Sequence, residues 1–160
     1  MNIPESMKKE LGAWNNGKGI DMDSWISCEG NYSLAVGYTT IFCPNFIEYE
    51  DYIFSTEQIT NDFIQRIREF ENQEGSTPKS VEWVLNHIHI SDLHHNGCKD
   101  LTADKIIILG NALKNIYEAR LNYIYPNKPC VVEFYQPDNT SLIDDYQLSF
   151  WQLKHEHKNT

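Results

Sequence analysis

Asn31-Tyr-Ser-Leu-Ala-Val-Gly-Tyr-Thr-Thr-Ile-Phe-Cys43, followed by Pro44-Asn45 and Phe46-Ile-Glu-Tyr-Glu-Asp-Tyr-Ile-Phe54, is the stretch on which the fold class turns. In its first half Leu34, Val36, Tyr38, Thr40 and Phe42 alternate with mostly small residues, a period of two that predicts a strand. Pro44-Asn45 breaks the run. Beyond it Ile47, Tyr49 and Ile53 lie opposite Glu48, Glu50 and Tyr52, which predicts a second strand with one wet face. The pair reads as a β-hairpin, and its charged second strand suits a sheet edge.

Working outward, the periodicity becomes helical. Ser55-Thr-Glu-Gln58 fits a capping box opening a helix to residue 71, with Ile59, Phe63, Ile67 and Phe70 as its buried stripe. Thr77-Pro78 offers a cap and a first-turn proline for a second helix carrying Val81, Val84, Leu85 and Ile88, and Asn96-Gly97 then stops the chain. Thr102 caps a third helix, whose stripe of Ile106, Leu109, Leu113, Ile116, Leu121 and Ile124 runs up to Pro126. Gly110 within it costs about 1 kcal/mol relative to alanine, which predicts a close crossing there. Residues 130–135 and 146–153 read as strands on either side of a polar loop. At the other end residues 4–11 read as a short helix that Gly12 is expected to stop, residues 14–19 as a turn-rich loop, and Asp21 or Asp23 as the cap of a single turn bearing Trp25 and Ile26. The predicted architecture is one α+β domain over residues 1–154, with a frayed tail from residue 155. Its mostly antiparallel sheet of about four strands packs with about three main helices.

Composition narrows the function classes. At 160 residues, with 41% hydrophobic and 12% aromatic content, the chain can bury a core and is not disordered. It shows no signal peptide and no apolar run of the roughly 20 residues a bilayer requires, so a cytoplasmic location is expected. Its four cysteines, Cys28, Cys43, Cys98 and Cys130, lack the spacing of a zinc or redox pair and read as small buried hydrophobes. Net charge is −10, and no Lys or Arg occurs from Gly19 to Gln65, while Asp21, Asp23, Glu29, Glu48, Glu50, Asp51, Glu57 and Asp62 fall in that span. Asp138, Asp144 and Asp145 form a second acidic group. Such a field opposes nucleic acid and anionic lipid, and it steers cationic partners.

The densest possible chemistry lies in Trp83-Val-Leu-Asn-His-Ile-His-Ile-Ser-Asp-Leu-His-His95. His87, His89, Asp92 and His94 are candidate ligands for a divalent metal such as zinc. In an extended segment His87 and His89 share a face; in a helix they diverge by about 200°. Neither arrangement is an HExxH signature. Cys98 lacks a nucleophile signature, Gly17-Lys-Gly19 lacks P-loop spacing, and no G-x-S-x-G elbow is present. Trp14, Trp25, Trp83 and Trp151 with nine tyrosines supply anchors for the core or for an interface.

Glu29-Gly-Asn31 leading to Ala35-Val-Gly-Tyr38, Phe46-Ile-Glu-Tyr-Glu-Asp-Tyr52, Asn86-His-Ile-His-Ile-Ser-Asp-Leu-His94 and Asp145-Tyr-Gln-Leu-Ser-Phe-Trp-Gln152 resemble the recurring features of a family of small bacterial cytosolic proteins. The resemblance spans most of the chain and brings no defined reaction and no catalytic residue. In size and acidity the chain is also similar to immunity proteins that neutralise bacterial toxins. The leading expectation is therefore a non-catalytic protein-binding domain, without a cofactor, that occludes a basic toxin. Its interface is expected among Glu48, Glu50, Asp51 and Tyr52, with Asp144 and Asp145 as secondary contacts. The alternatives are a metal-binding protein or metal-dependent enzyme built on the histidines, and a structural domain that self-associates.

Overall fold

A computed structural model describes residues 3–94, 98 and 100–156. The order is α1 (Glu5–Gly17, whose backbone leaves the helical conformation at Trp14, Asn15 and Asn16, within the turn expected there), α2 (Met22–Glu29), α3 (Tyr32–Phe42), β1 (Phe46–Tyr49), β2 (Tyr52–Ser55), α4 (Asn61–Glu71), α5 (Pro78–Leu85), β3 (Ile88–His89), α6 (Ala103–Ile124), β4 (Cys130–Tyr135) and β5 (Gln147–Gln152). Short 3-10 turns follow β3 at Ile90–Leu93, precede β5 at Ile143–Asp145 and follow it at Leu153–His155. The fold is α+β, as expected. Both sheets are antiparallel: one pairs β1 with β2, and the other has the order β3-β5-β4. No helix of the described residues is long and apolar enough to cross a membrane.

The expected strand at residues 31–43 is a helix. Asn31 Oδ1 accepts from the backbone N–H groups of Ser33 and Leu34, capping α3. The alternation seen in the sequence coexists with a second pattern, since Leu34, Tyr38, Ile41 and Phe42 also follow i, i+4, i+7, i+8 spacing. Ile41 and Phe42 are the side chains that pack onto the core. The hairpin instead lies wholly within residues 46–55, pairing Tyr49 with Tyr52 across Glu50-Asp51. Glu50 turns the corner with φ +54°, a conformation uncommon for a residue with a side chain. Ser55 belongs to β2, so the capping box expected there does not form; Thr60 caps α4 by accepting from Phe63 N. Thr77 does cap α5, and Ser80 completes a reciprocal capping box. α5 ends before Ile88, which pairs with Leu148 in β3 instead. Asp21 caps α2, which is longer than the single turn expected.

The single sheet expected from the sequence is divided by two side chains of α5. Glu82 and Asn86, one turn apart, sit between β2 and β5 and satisfy the facing edges of both. Asn86 Nδ2 donates to the carbonyls of Ile53 and Phe150, while its Oδ1 accepts from Ser55 N. Glu82 Oε1 accepts from Ile53 N and Gln152 Nε2, and its Oε2 accepts from Gln152 N and His155 Nδ1. Backbone groups that would otherwise pair strand to strand are thus paired through a helix. Glu82 is 0% exposed.

Ile53, Ile106, Leu113, Leu121, Leu148 and Phe150 centre the main core between α6 and the larger sheet. Phe54, Ile67 and Val81 centre a smaller one under α4 and α5. Gly110 marks the close crossing predicted for α6: a Cβ there would lie 2.2 Å from Phe134 Cζ of β4. The tail does not fray at once, because His155 is buried against Glu82. Residues 157–160, with His95, Asn96 and Gly97, lie outside the described residues.

Candidate functional site

The acids of the hairpin are already engaged within the chain. Glu48 pairs with Lys128 at 2.5 Å, Glu50 with Arg68, and Asp51 with Lys154. The hydrogen bond from Arg68 holds the Glu50 carboxyl below its ordinary range, and the one from Lys154 does the same for Asp51. Tyr52 is not on a wet face: it is buried, and its hydroxyl donates to Glu71 Oε1 at 2.8 Å. Asp144 and Asp145 are exposed on the 3-10 turn before β5. The expected interface therefore contains one buried ring and three acids with internal cationic partners.

The histidines divide. His87 and His89 approach with ring centroids 5.3 Å apart, and each Nδ1 donates to a backbone carbonyl, that of Val84 at 2.5 Å and that of Asp144 at 2.6 Å. His94 Nε2 hydrogen-bonds the Tyr38 hydroxyl. Asp92 lies on the 3-10 turn between them. Among the described residues no group of three or more His, Cys, Asp or Glu is placed to hold a metal ion. The extended β3 puts an intervening Ile88 into the sheet, and the turn that follows carries His94 to α3. Cys28, Cys43 and Cys98 are exposed rather than buried, and Cys130 is half-buried. The Cys98 thiol donates to Asp100 Oδ1, which raises its pKa and disfavours the thiolate a nucleophile needs.

Four exposed large apolar side chains, Ile26, Tyr32, Leu34 and Val36, lie on α2 and α3. Neither helix has a fully buried residue. Tyr32 is 92%, Val36 68%, Ile26 54% and Leu34 51% exposed, in helices that carry no Lys or Arg. Trp25, Ile26, Leu34, Ala35 and Tyr38 line a groove of about 330 Å³ between the two helices, with Glu29 at its edge. Trp25 is held there by its indole N–H, which donates to Glu10 Oε1 at 3.2 Å. Asp21 and Asp23 stand at the first turn of α2. The arrangement combines apolar anchors, a groove able to receive a side chain, and acids around them. On α3, Leu34 and Tyr38 lie one turn apart on the groove side, while Tyr32 and Val36, also one turn apart, extend the exposed apolar surface around the helix.

Reading residues 31–43 as a strand hid this surface, because it placed Leu34, Val36 and Tyr38 on the inward face of a sheet. Asn31 followed by an uncharged run was the signal available for a capped helix. No protein-family model, curated protein or solved structure matches the chain.

Proposed function

We propose that this chain is a non-catalytic protein-binding module whose α2–α3 face receives a cationic protein, as an immunity protein receives the basic toxin it occludes. The observation that carries the reading is the exposure of Ile26, Tyr32, Leu34 and Val36 within a span devoid of Lys and Arg. The acids Asp21, Asp23 and Glu29 raise the rate of encounter with a basic surface and set its orientation, with the exposed Asp144 and Asp145 as secondary contacts. Affinity comes from burial of the aliphatic and aromatic side chains, at about 25 cal/mol per Å² of apolar surface before the losses of association are counted. The hairpin acids contribute less than they would if unpaired, since a partner cation competes with Lys128, Arg68 or Lys154 for each of them. The mechanism is occlusion and needs no chemistry on the partner.

Photo-crosslinking tests this. A benzoylphenylalanine placed at Val36 is irradiated in native lysate, and the adduct is identified by mass spectrometry. The reading expects one basic protein, diminished by high salt and absent when the photoreactive residue stands at Glu118 on α6 instead. Adducts to a second copy of this chain would show that self-association covers the face. Adducts to neutral or acidic proteins, insensitive to salt, would remove the electrostatic part of the reading.

A further inference from the structure

The two small sheets do not treat their edges alike. β2 is closed by Glu82 and Asn86 of α5, and the Tyr125 hydroxyl donates to the Phe46 carbonyl on β1. β3 is only two residues long. β4 is six residues long and lies at the end of the order β3-β5-β4.

Which of its peptide groups are free follows from β5. Gln152 N and Phe150 O turn toward α5, and the Tyr146 carbonyl accepts from Ile90 N on the β3 side, so the even-numbered residues here point away from β4. In an antiparallel pair, residues alternate between those that exchange hydrogen bonds across the pair and those that face the other side. β4 is therefore bonded through Val131, Glu133 and Tyr135, which oppose Trp151, Ser149 and Gln147. Leu153 N continues the same parity by donating to the Pro129 carbonyl. The N–H and C=O groups of Val132 and Phe134 point outward, and nothing among the described residues pairs with them. Both residues line a cleft of about 700 Å³ that reaches round the edge, from Trp83 of α5 on one face of the sheet to Lys114 of α6 on the other.

The charges along this edge are uneven. Lys79 pairs with Glu156 at 3.5 Å, and Lys114 with Glu118 at 3.9 Å. Glu133, between Val132 and Phe134, is exposed and accepts from the Trp83 indole N–H at 3.4 Å. It has no cationic partner among the described residues.

We infer that β4 receives an extended segment of another protein as an added antiparallel strand, with a Lys or Arg set opposite Glu133. The two residues of that strand opposite Val132 and Phe134 exchange four backbone hydrogen bonds with the free groups. Their side chains fall on the α6 side, where Val132 and Phe134 pack, and β-branched apolar residues suit them. The residue between them falls on the opposite face beside Glu133, where a cation gains and an acid loses. A second copy of this chain fits poorly. The symmetric register that pairs Val132 with Phe134 sets one Glu133 against the other, between chains of net charge −10 each. The inference uses no residue of α2 or α3.

The test titrates acetylated, amidated five-residue peptides into the full chain and follows backbone amide NMR signals. For Thr-Val-Lys-Val-Thr, saturable shifts are expected at Val132, Glu133 and Phe134. Exchanging the central lysine for glutamate should weaken binding about threefold or more, and Glu133→Lys in the chain should reverse that preference. Methyl groups on both valine nitrogens should abolish binding, because those N–H groups face the edge. One methyl on the lysine nitrogen, which faces away, should be tolerated. Val36→Lys, which disables the docking face, should leave peptide binding unchanged, so either reading can fail alone. The inference is overturned if the shifts fall elsewhere or do not saturate, or if the position of the methyl groups makes no difference. It is equally overturned if the lysine and glutamate peptides bind alike. Shifts of Val132 and Phe134 that follow the chain's own concentration, with a dimer mass, would also overturn it by assigning the edge to a second copy.

Discussion

Replacing Glu82 with alanine should be among the most damaging single changes available to this chain. The side chain is 0% exposed and accepts four hydrogen bonds, from Ile53 N at 2.8 Å, Gln152 N at 2.7 Å, Gln152 Nε2 at 2.7 Å and His155 Nδ1 at 3.0 Å. Two of those donors are backbone N–H groups of opposing strands that cannot turn toward water. At about 1–3 kcal/mol for each buried donor left unpaired, these two alone give roughly 2–6 kcal/mol. A loss of about 3–5 kcal/mol is the expectation for Glu82→Ala, against the ~5–15 kcal/mol that hold a typical domain folded. Glu82→Gln keeps the shape and one acceptor oxygen. Its amide N–H₂ then opposes one backbone donor, while His155 can change tautomer and accept, so the loss should be smaller, about 1–3 kcal/mol. Urea unfolding of both variants, with slope as well as midpoint recorded, measures these values. A Glu82→Ala loss under 1 kcal/mol, or a Glu82→Gln loss as large as that of alanine, would refute the claim that this carboxylate joins the two sheets.

Other parts of the structure give shorter tests. Gly110→Ala should destabilise by about 1–3 kcal/mol despite alanine's better helix propensity, since its Cβ meets the Phe134 ring at 2.2 Å; Phe134→Leu should recover part of the loss, read as melting temperature in the double variant. Asp104 is brought down to about 2, first by the Ser6 N–H and then by the Thr102 hydroxyl, so its contribution is present above about pH 4 and lost as pH falls toward 2. Asp104→Asn should therefore be less stable than the parent at neutral pH, with the gap closing over that interval in unfolding curves. Burial pushes the Cys130 thiol up to about 12, whereas Cys28 and Cys43 are exposed. Labelling at pH 8 followed by peptide mass spectrometry should modify Cys28 and Cys43 early and Cys130 only after denaturation; early modification of Cys130 would contradict its placement.

How far the sequence disclosed this molecule depended on whether one pattern or two competed at each segment. For α6 the helical stripe had no rival, and both Pro126 and the close approach at Gly110 agreed with it. For α3 the alternation of Leu34, Val36 and Tyr38 competed with a helical spacing through Leu34, Tyr38, Ile41 and Phe42, and the Asn31 cap decided between them. The separation of the sheets rests on Glu82 and Asn86, whose i, i+4 spacing reads as an ordinary polar face until β2 and β5 are seen on either side. The hairpin acids were visible as acids, but their partners Arg68, Lys128 and Lys154 lie far along the chain and no local pattern announces them. The free edge of β4 gave no sign at all, because an unpaired peptide group is a property of its surroundings.

The most direct test of the docking face is the affinity of the cross-linked partner for four chains at low and high salt: the parent, Val36→Lys, Asp21→Asn with Asp23→Asn, and Glu48→Gln with Glu50→Gln. Val36 is 68% exposed, so the lysine should change folding stability by no more than about 0.5 kcal/mol. The account predicts that Val36→Lys weakens binding at least tenfold at both salts. The α2 acid variant should lower the association rate chiefly at low salt, and the hairpin variant should bind like the parent. Full affinity in Val36→Lys, with binding lost in the hairpin variant, would move the interface from α2–α3 to the β1–β2 hairpin and contradict the account.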